Sequence, residues 1–153
     1  MNRFTALPLA ASLALGLMLS PMAQAHDDAT LDAMSAPHGG QLRMAGPSHY
    51  ELVVVKDSKD AKDKPITVYV TDHAGNKIPT AGAKGTVTLL SGKAKASSAL
   101  TPDGDNKLKG NAAYASTPDL KAVVSITLAG QAAQLARFTP LAPHHDAHSE
   151  HSH

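Results

Sequence analysis

A chain of 153 residues with 14 Lys+Arg against 13 Asp+Glu has a formal charge of +1, too near neutrality for nucleic acid or an anionic lipid surface to be its main partner. It contains no cysteine, which excludes disulfides, thiolate ligands and a cysteine nucleophile. Aromatic residues make up 3% of it, so any core must be built mainly from Val, Leu, Ile and Ala.

The first segment, residues 1–25, has the parts of an export signal. Arg3 supplies a positive start, Ala6 to Leu19 an almost wholly apolar run, and Ala23-Gln24-Ala25 a small-x-small cleavage site. An uncleaved membrane anchor is the alternative. Pro8, Gly16 and Pro21 interrupt the segment, and its apolar run is short of the roughly 20 residues that span a bilayer. Cleavage after Ala25 is therefore expected, with export to a bacterial periplasm or beyond and no membrane insertion afterwards. Losing Arg3 from the 14 basic residues leaves 13, equal to the 13 acidic ones, while all 9 histidines remain.

Residues 26–35 are polar and poor in structure signals, so they read as a flexible leader. Residues 36–142 read as one β-domain, and residues 143–153, without apolar anchors, as a disordered histidine-rich tail. Within the domain, β-rich runs alternate with turns. The clearest strands are His49 to Val55, Ile66 to Thr71, Thr86 to Leu90, Ala122 to Leu128 and Ala132 to Phe138. Gln41 to Met44 is positioned to pair with the first of these through the Gly46-Pro47 turn. Further turn signals lie at Ala74-Gly75-Asn76, Ser91-Gly92, Pro102-Asp103-Gly104 and Ala129-Gly130. Ala94 to Leu100 and Gln131 to Ala136 are alanine-rich, which makes helix their local rival, but the flanking turns favour hairpin strands. The polar run Lys56 to Lys64 reads as a solvated loop. The expected fold is all-β: a single antiparallel sandwich or barrel of about seven strands.

Chemistry concentrates in the histidines. His144, His145, His148, His151 and His153 crowd the last ten residues, with Asp146 and Glu150 between them. Neutral imidazole is the commonest protein ligand for zinc and copper. A flexible tail can wrap an ion, but ordering costs about 1–2 kcal/mol per residue, so capture or hand-over suits it better than catalysis. A solubilising polar tail is the plainer reading. At the start of the domain, His49 and Glu51 project from one face of a strand, because side chains alternate. If the hairpin forms, His38 can approach them, giving two imidazoles and a carboxylate of the kind zinc or copper accepts. Alternatively His49 and Glu51 are only the outward face of a strand whose Tyr50, Leu52 and Val54 point inward. His73, in a polar turn, is a fourth ligand or an exposed turn residue. His26, once N-terminal, would chelate copper(II) through its amino group and ring, unless its place at the junction is coincidental. Met34 and Met44 leave copper(I) open.

The stretch from His38 through Phe138 resembles small periplasmic proteins associated with heavy-metal efflux, and the N-terminal part of some metal-efflux periplasmic adaptors. The residues that carry the likeness are Pro37-His38-Gly39-Gly40, His49-Tyr50-Glu51-Leu52-Val53, Thr67 through Gly75, and Ala81-Gly82-Ala83-Lys84-Gly85 with the strand after it. The resemblance implies metal-handling roles for His38, His49 and Glu51. The chain has no room for the adaptors' long helical hairpin and membrane-proximal domains, which leaves a free-standing binder or chaperone.

The expected function is a periplasmic protein that buffers, captures or delivers a divalent metal, Zn(II) or Cu(II), in heavy-metal resistance. The alternative is an accessory subunit docking on an envelope metal-efflux system, its histidines tuning the contact. An enzyme is not expected: there is no Gly-x-Ser-x-Gly turn, phosphate loop or His-Glu-x-x-His. Imidazole ligands must be neutral, so metal uptake should fall as pH drops through about 6.5.

Overall fold

The computed structural model describes residues 27–143. They form one short helix and eight strands: α1 Asp28–Ala33, β1 Gln41–Ala45, β2 Ser48–Val54, β3 Lys62–Asp72, β4 Lys84–Ser91, β5 Ala94–Pro102, β6 Lys107–Tyr114, β7 Lys121–Thr127 and β8 Gln134–Phe138. All strand pairs are antiparallel, in the order β1-β2-β3-β6-β5-β4-β7-β8. The edge strands β1 and β8 lie close together, so the sheet curls into a nearly closed barrel. The all-β fold expected from the sequence is the fold observed.

Period-two patterning builds the interior. On β3, Ile66, Val68 and Val70 face inward with Tyr50, Leu52 and Val54 of β2, while Val87 and Leu89 of β4 and Val124 and Ile126 of β7 close the far side. Burial pushes the Tyr50 phenol up to about 12. The β1–β2 connection is a two-residue turn: Ala45 pairs with Ser48, and Gly46 carries φ +56 ahead of Pro47. Positive φ at the first central residue suits glycine there and matches the right-handed twist of the strands.

Three stretches differ from the sequence expectation. The strand Lys107–Tyr114 was not anticipated, because Gly110 and Asn111 are poor strand formers. The reason for Gly110 is a close approach: a Cβ there would lie 2.5 Å from the Ala99 carbonyl oxygen of β5, where β5 passes from pairing with β4 to pairing with β6. The expected loop Lys56 to Lys64 ends early, since Lys62 to Lys64 already belong to β3. Lys64 is buried, its ammonium donating to Ser58 O at 2.9 Å, Asp60 O at 3.2 Å and Ser116 Oγ at 3.2 Å, and lying 4.4 Å from the Tyr114 ring centroid.

The third concerns the expected leader, residues 26–35, six of which form α1. Asp27 caps it by accepting the Thr30 N–H at 2.8 Å. A helix this short gains little from propensity alone, so tertiary contacts must hold it. Leu31 is buried, and Arg43 of β1, itself buried, donates through Nη1 to Asp32 Oδ1 at 2.7 Å. Gln41 bonds Asp32 through its amide nitrogen at 3.2 Å and accepts the Thr139 N–H at 2.8 Å, tying α1 and β1 to the end of β8.

Among the described residues no helix is long and apolar enough to cross a membrane. The proposed signal, residues 1–25, and the histidine tail lie outside the described residues.

Candidate metal centre

The outer face of β2 presents His49, Glu51 and Val53, between β1 and β3. Cross-strand pairing fixes the neighbours. Glu51 lies between Leu42 and Tyr69, and His49 between Met44 and Thr71. Both were candidates for an exposed amphipathic face, yet both are buried, His49 at 4% and Glu51 at 3% exposure.

What covers Glu51 is the Pro37-His38-Gly39-Gly40 segment, which folds back over β2 before entering β1. Gly39 takes φ +71, open only to glycine without strain. Gly40 is needed for a different reason: a Cβ there would stand 2.4 Å from the Leu52 carbonyl oxygen. The two glycines thus let the backbone lie flat on the sheet, and its amides reach the carboxylate. His38 N–H and Gly40 N–H both donate to Glu51 Oε1, at 2.8 and 3.0 Å. His38 Nδ1 meets Glu51 Oε2 at 2.7 Å. The imidazole also stacks on Tyr69, centroid to centroid 3.5 Å with a 2° interplanar angle. A buried carboxylate is costly unless hydrogen-bonded, and here both oxygens are engaged. With Nδ1 committed to Glu51, the lone pair of a neutral ring sits on Nε2. Glu51 therefore orients His38 and does not present an oxygen to an ion.

A second cluster occupies the turn end of the same face. His49 Nε2 lies 3.0 Å from Met44 Sδ. The His49 and His73 rings meet edge to face, 4.8 Å between centroids at 71°. His73 reaches this place because β3 ends at Asp72 in a tight turn closed by glycine at φ +84 (Gly75). Asp72 Oδ1 accepts the Ala74 and Asn76 N–H groups at 2.9 and 2.8 Å, and its Oδ2 accepts Asn76 Nδ2 at 2.9 Å. These bonds, that of the Asn76 side chain first, hold the Asp72 carboxyl below the usual carboxylate range.

The expected set of His38, His49 and Glu51 is therefore divided. His38 and Glu51 meet each other, while His49 meets Met44 and His73. Among the described residues, no three histidine, aspartate or glutamate side chains converge as ligands for one ion. His26, His144, His145, His148, His151 and His153 lie outside the described residues. Sequence reasoning missed Tyr69 as the stacking partner of His38. It also missed the pairing of Met44 with His49, which the two-residue Gly46-Pro47 turn already implied by counting back from Ala45 and Ser48. No protein-family model, curated protein or solved structure matches the chain.

Proposed function

We propose that this protein is an exported, periplasmic binder of a transition-metal ion, zinc or copper, which it captures, buffers or hands on during heavy-metal stress. One observation carries the reading. His49 and His73, 24 positions apart, are brought ring to ring at 4.8 Å beside a thioether, in a chain whose last ten residues hold His144, His145, His148, His151 and His153. Neutral imidazoles clustered in this way are the donors that zinc and copper prefer. The export signal, the absence of cysteine and the histidine tail fit an ion handled outside a reducing compartment. The tail acts as the capture arm, and the folded domain offers the defined position.

The test is calorimetry of the chain with Zn(II) and Cu(II) near neutral pH, repeated with the five tail histidines replaced by alanine. Heat with both ions, and fewer equivalents bound by the tail variant, is the expected result. Silence with every first-row dication would end this reading.

A further inference from the structure

The geometry points to a soft three-donor site, built by Met44, His49 and His73 at the turn end of β2, that takes monovalent copper. This rests on the reading of the chain as a metal binder, and adds to it a site and an oxidation state. The donors come from three separate elements: Met44 from β1, His49 from β2 and His73 from the turn after β3. Backbone pairing holds them in place. Met44 and His49 are direct cross-strand partners, and His49 is opposite Thr71, two residues before His73. Two atoms bound to one such metal, at bond lengths of about 2.0 Å to nitrogen and 2.3 Å to sulfur, lie roughly 3–3.7 Å apart. His49 Nε2 and Met44 Sδ, at 3.0 Å, are at the short end of that span. The His73 ring stands at the open side, since it is exposed while His49 is buried. An ion can therefore enter past His73 and be held from beneath by His49 and Met44.

The donor types select the oxidation state. Thioether sulfur is soft and favours copper(I) over borderline zinc(II) and over hard dications, while imidazole accepts copper(I) and zinc(II) alike. The nearest carboxylate in sequence, Asp72, is engaged by its own turn, accepting three hydrogen bonds from Ala74 and Asn76. Three donors, two nitrogen and one sulfur, suit an ion content with low coordination. The other account of the same contact is a hydrogen bond from His49 to the Met44 sulfur that serves packing alone.

The experiment uses the full chain with copper(I), supplied as its acetonitrile complex without oxygen and titrated against bicinchoninate, together with X-ray absorption at the copper edge. Cysteine is absent, so a sulfur neighbour of copper must be a methionine. The expected result is a copper–sulfur path in the parent chain that disappears in Met44→Leu and persists in Met34→Leu. Copper(I) affinity should fall at least about tenfold in both Met44→Leu and His73→Ala, with Zn(II) equivalents unchanged in Met44→Leu. His73 is exposed and leucine is close to methionine in volume, so both variants should keep the parent's circular dichroism and melting curve. Copper(I) bound with nitrogen neighbours only, or affinity within twofold of the parent in both variants, would overturn the site. If Zn(II) and Cu(II) still bind in that case, the wider metal-binding reading stands; if no ion of any kind binds, both fall together.

Discussion

Two clusters share one face of β2, a single side-chain repeat apart, and they use the same residue type for opposite ends. At Glu51, the histidine is tied down. His38 gives its Nδ1 to a buried carboxylate at 2.7 Å and lays its ring on Tyr69, so its chemistry goes into holding a strap of backbone on the sheet. At His49, the neighbours include a thioether and a second imidazole, chemical types that can ligate transition metals. A histidine beside a carboxylate thus need not signal a ligand pair. The carboxylate has to keep an oxygen facing outward, and Glu51 has already given one to two backbone amides and the other to the ring.

If that division is right, variants of the first cluster cost stability and variants of the second cost ion binding. The largest effect is expected from Glu51→Leu, which strands the His38 and Gly40 amides under the strap. Hydrogen bonds to a charged group contribute about 1.5–3 kcal/mol, and buried orphan donors add to the loss, so roughly 3 kcal/mol should disappear from urea unfolding. A loss below about 1 kcal/mol would show that Glu51 is not the anchor. Gly40→Ala comes next. Its new Cβ would collide with the Leu52 carbonyl, and because the neighbour is backbone, the strap has to lift, at about 1–3 kcal/mol. An unchanged melting temperature would mean that the strap adapts freely.

His38→Ala against His73→Ala sharpens the contrast with a matched pair of exposed rings. The first loses a charge-assisted bond and a stacked ring, about 1–2 kcal/mol in sum; the second should stay within about 0.5 kcal/mol of the parent, as surface substitutions do. Equal losses in the two would erase the distinction. The smallest effect belongs to Asp103, an exposed counterpart to the buried Glu51. The ammonium groups of Lys109 and Lys107, at 2.9 and 3.1 Å, hold its carboxyl below the usual range. Its folded value is lower than its unfolded one, so the stability it adds is full above about pH 4, the ordinary aspartate range, and is lost as pH falls through the lowered value. NMR titration of the Asp103 carboxyl should show this, with a return toward the ordinary value in Lys109→Met. A normal titration in the parent would remove the ion pairs from the account.

Much of the barrel is legible in the chain itself. Tyr50, Leu52 and Val54, read as the inward residues of β2 in one of two alternatives, are buried in the core, and the turn glycines Gly75, Gly92, Gly104 and Gly130 all take positive φ. Where Ala94 to Leu100 and Gln131 to Ala136 offered helix as a rival, the flanking turns pointed to strand; β5 covers the first, and β8 takes up the second from Gln134. The misses have physical causes. Strand β6 carries a glycine whose value shows only when β5 crosses over it. Helix α1 is too short to announce itself by periodicity, and only Leu31 and the Arg43–Asp32 pair reveal why it forms.

The same limit applies to the candidate site. Residue counts determined a chain without thiols, rich in imidazole and formally near neutral, and local periodicity with turn signals pointed to an all-β fold, because neither needs a distant partner. Which histidine meets which neighbour was decided by strand register and by a two-glycine strap crossing a sheet. Those contacts join positions such as His38 and Tyr69, or His49 and His73, that no local pattern relates. Pairing geometry, set across three strands at once, separated a histidine that anchors the strap on Glu51 from one that meets a thioether and a second imidazole.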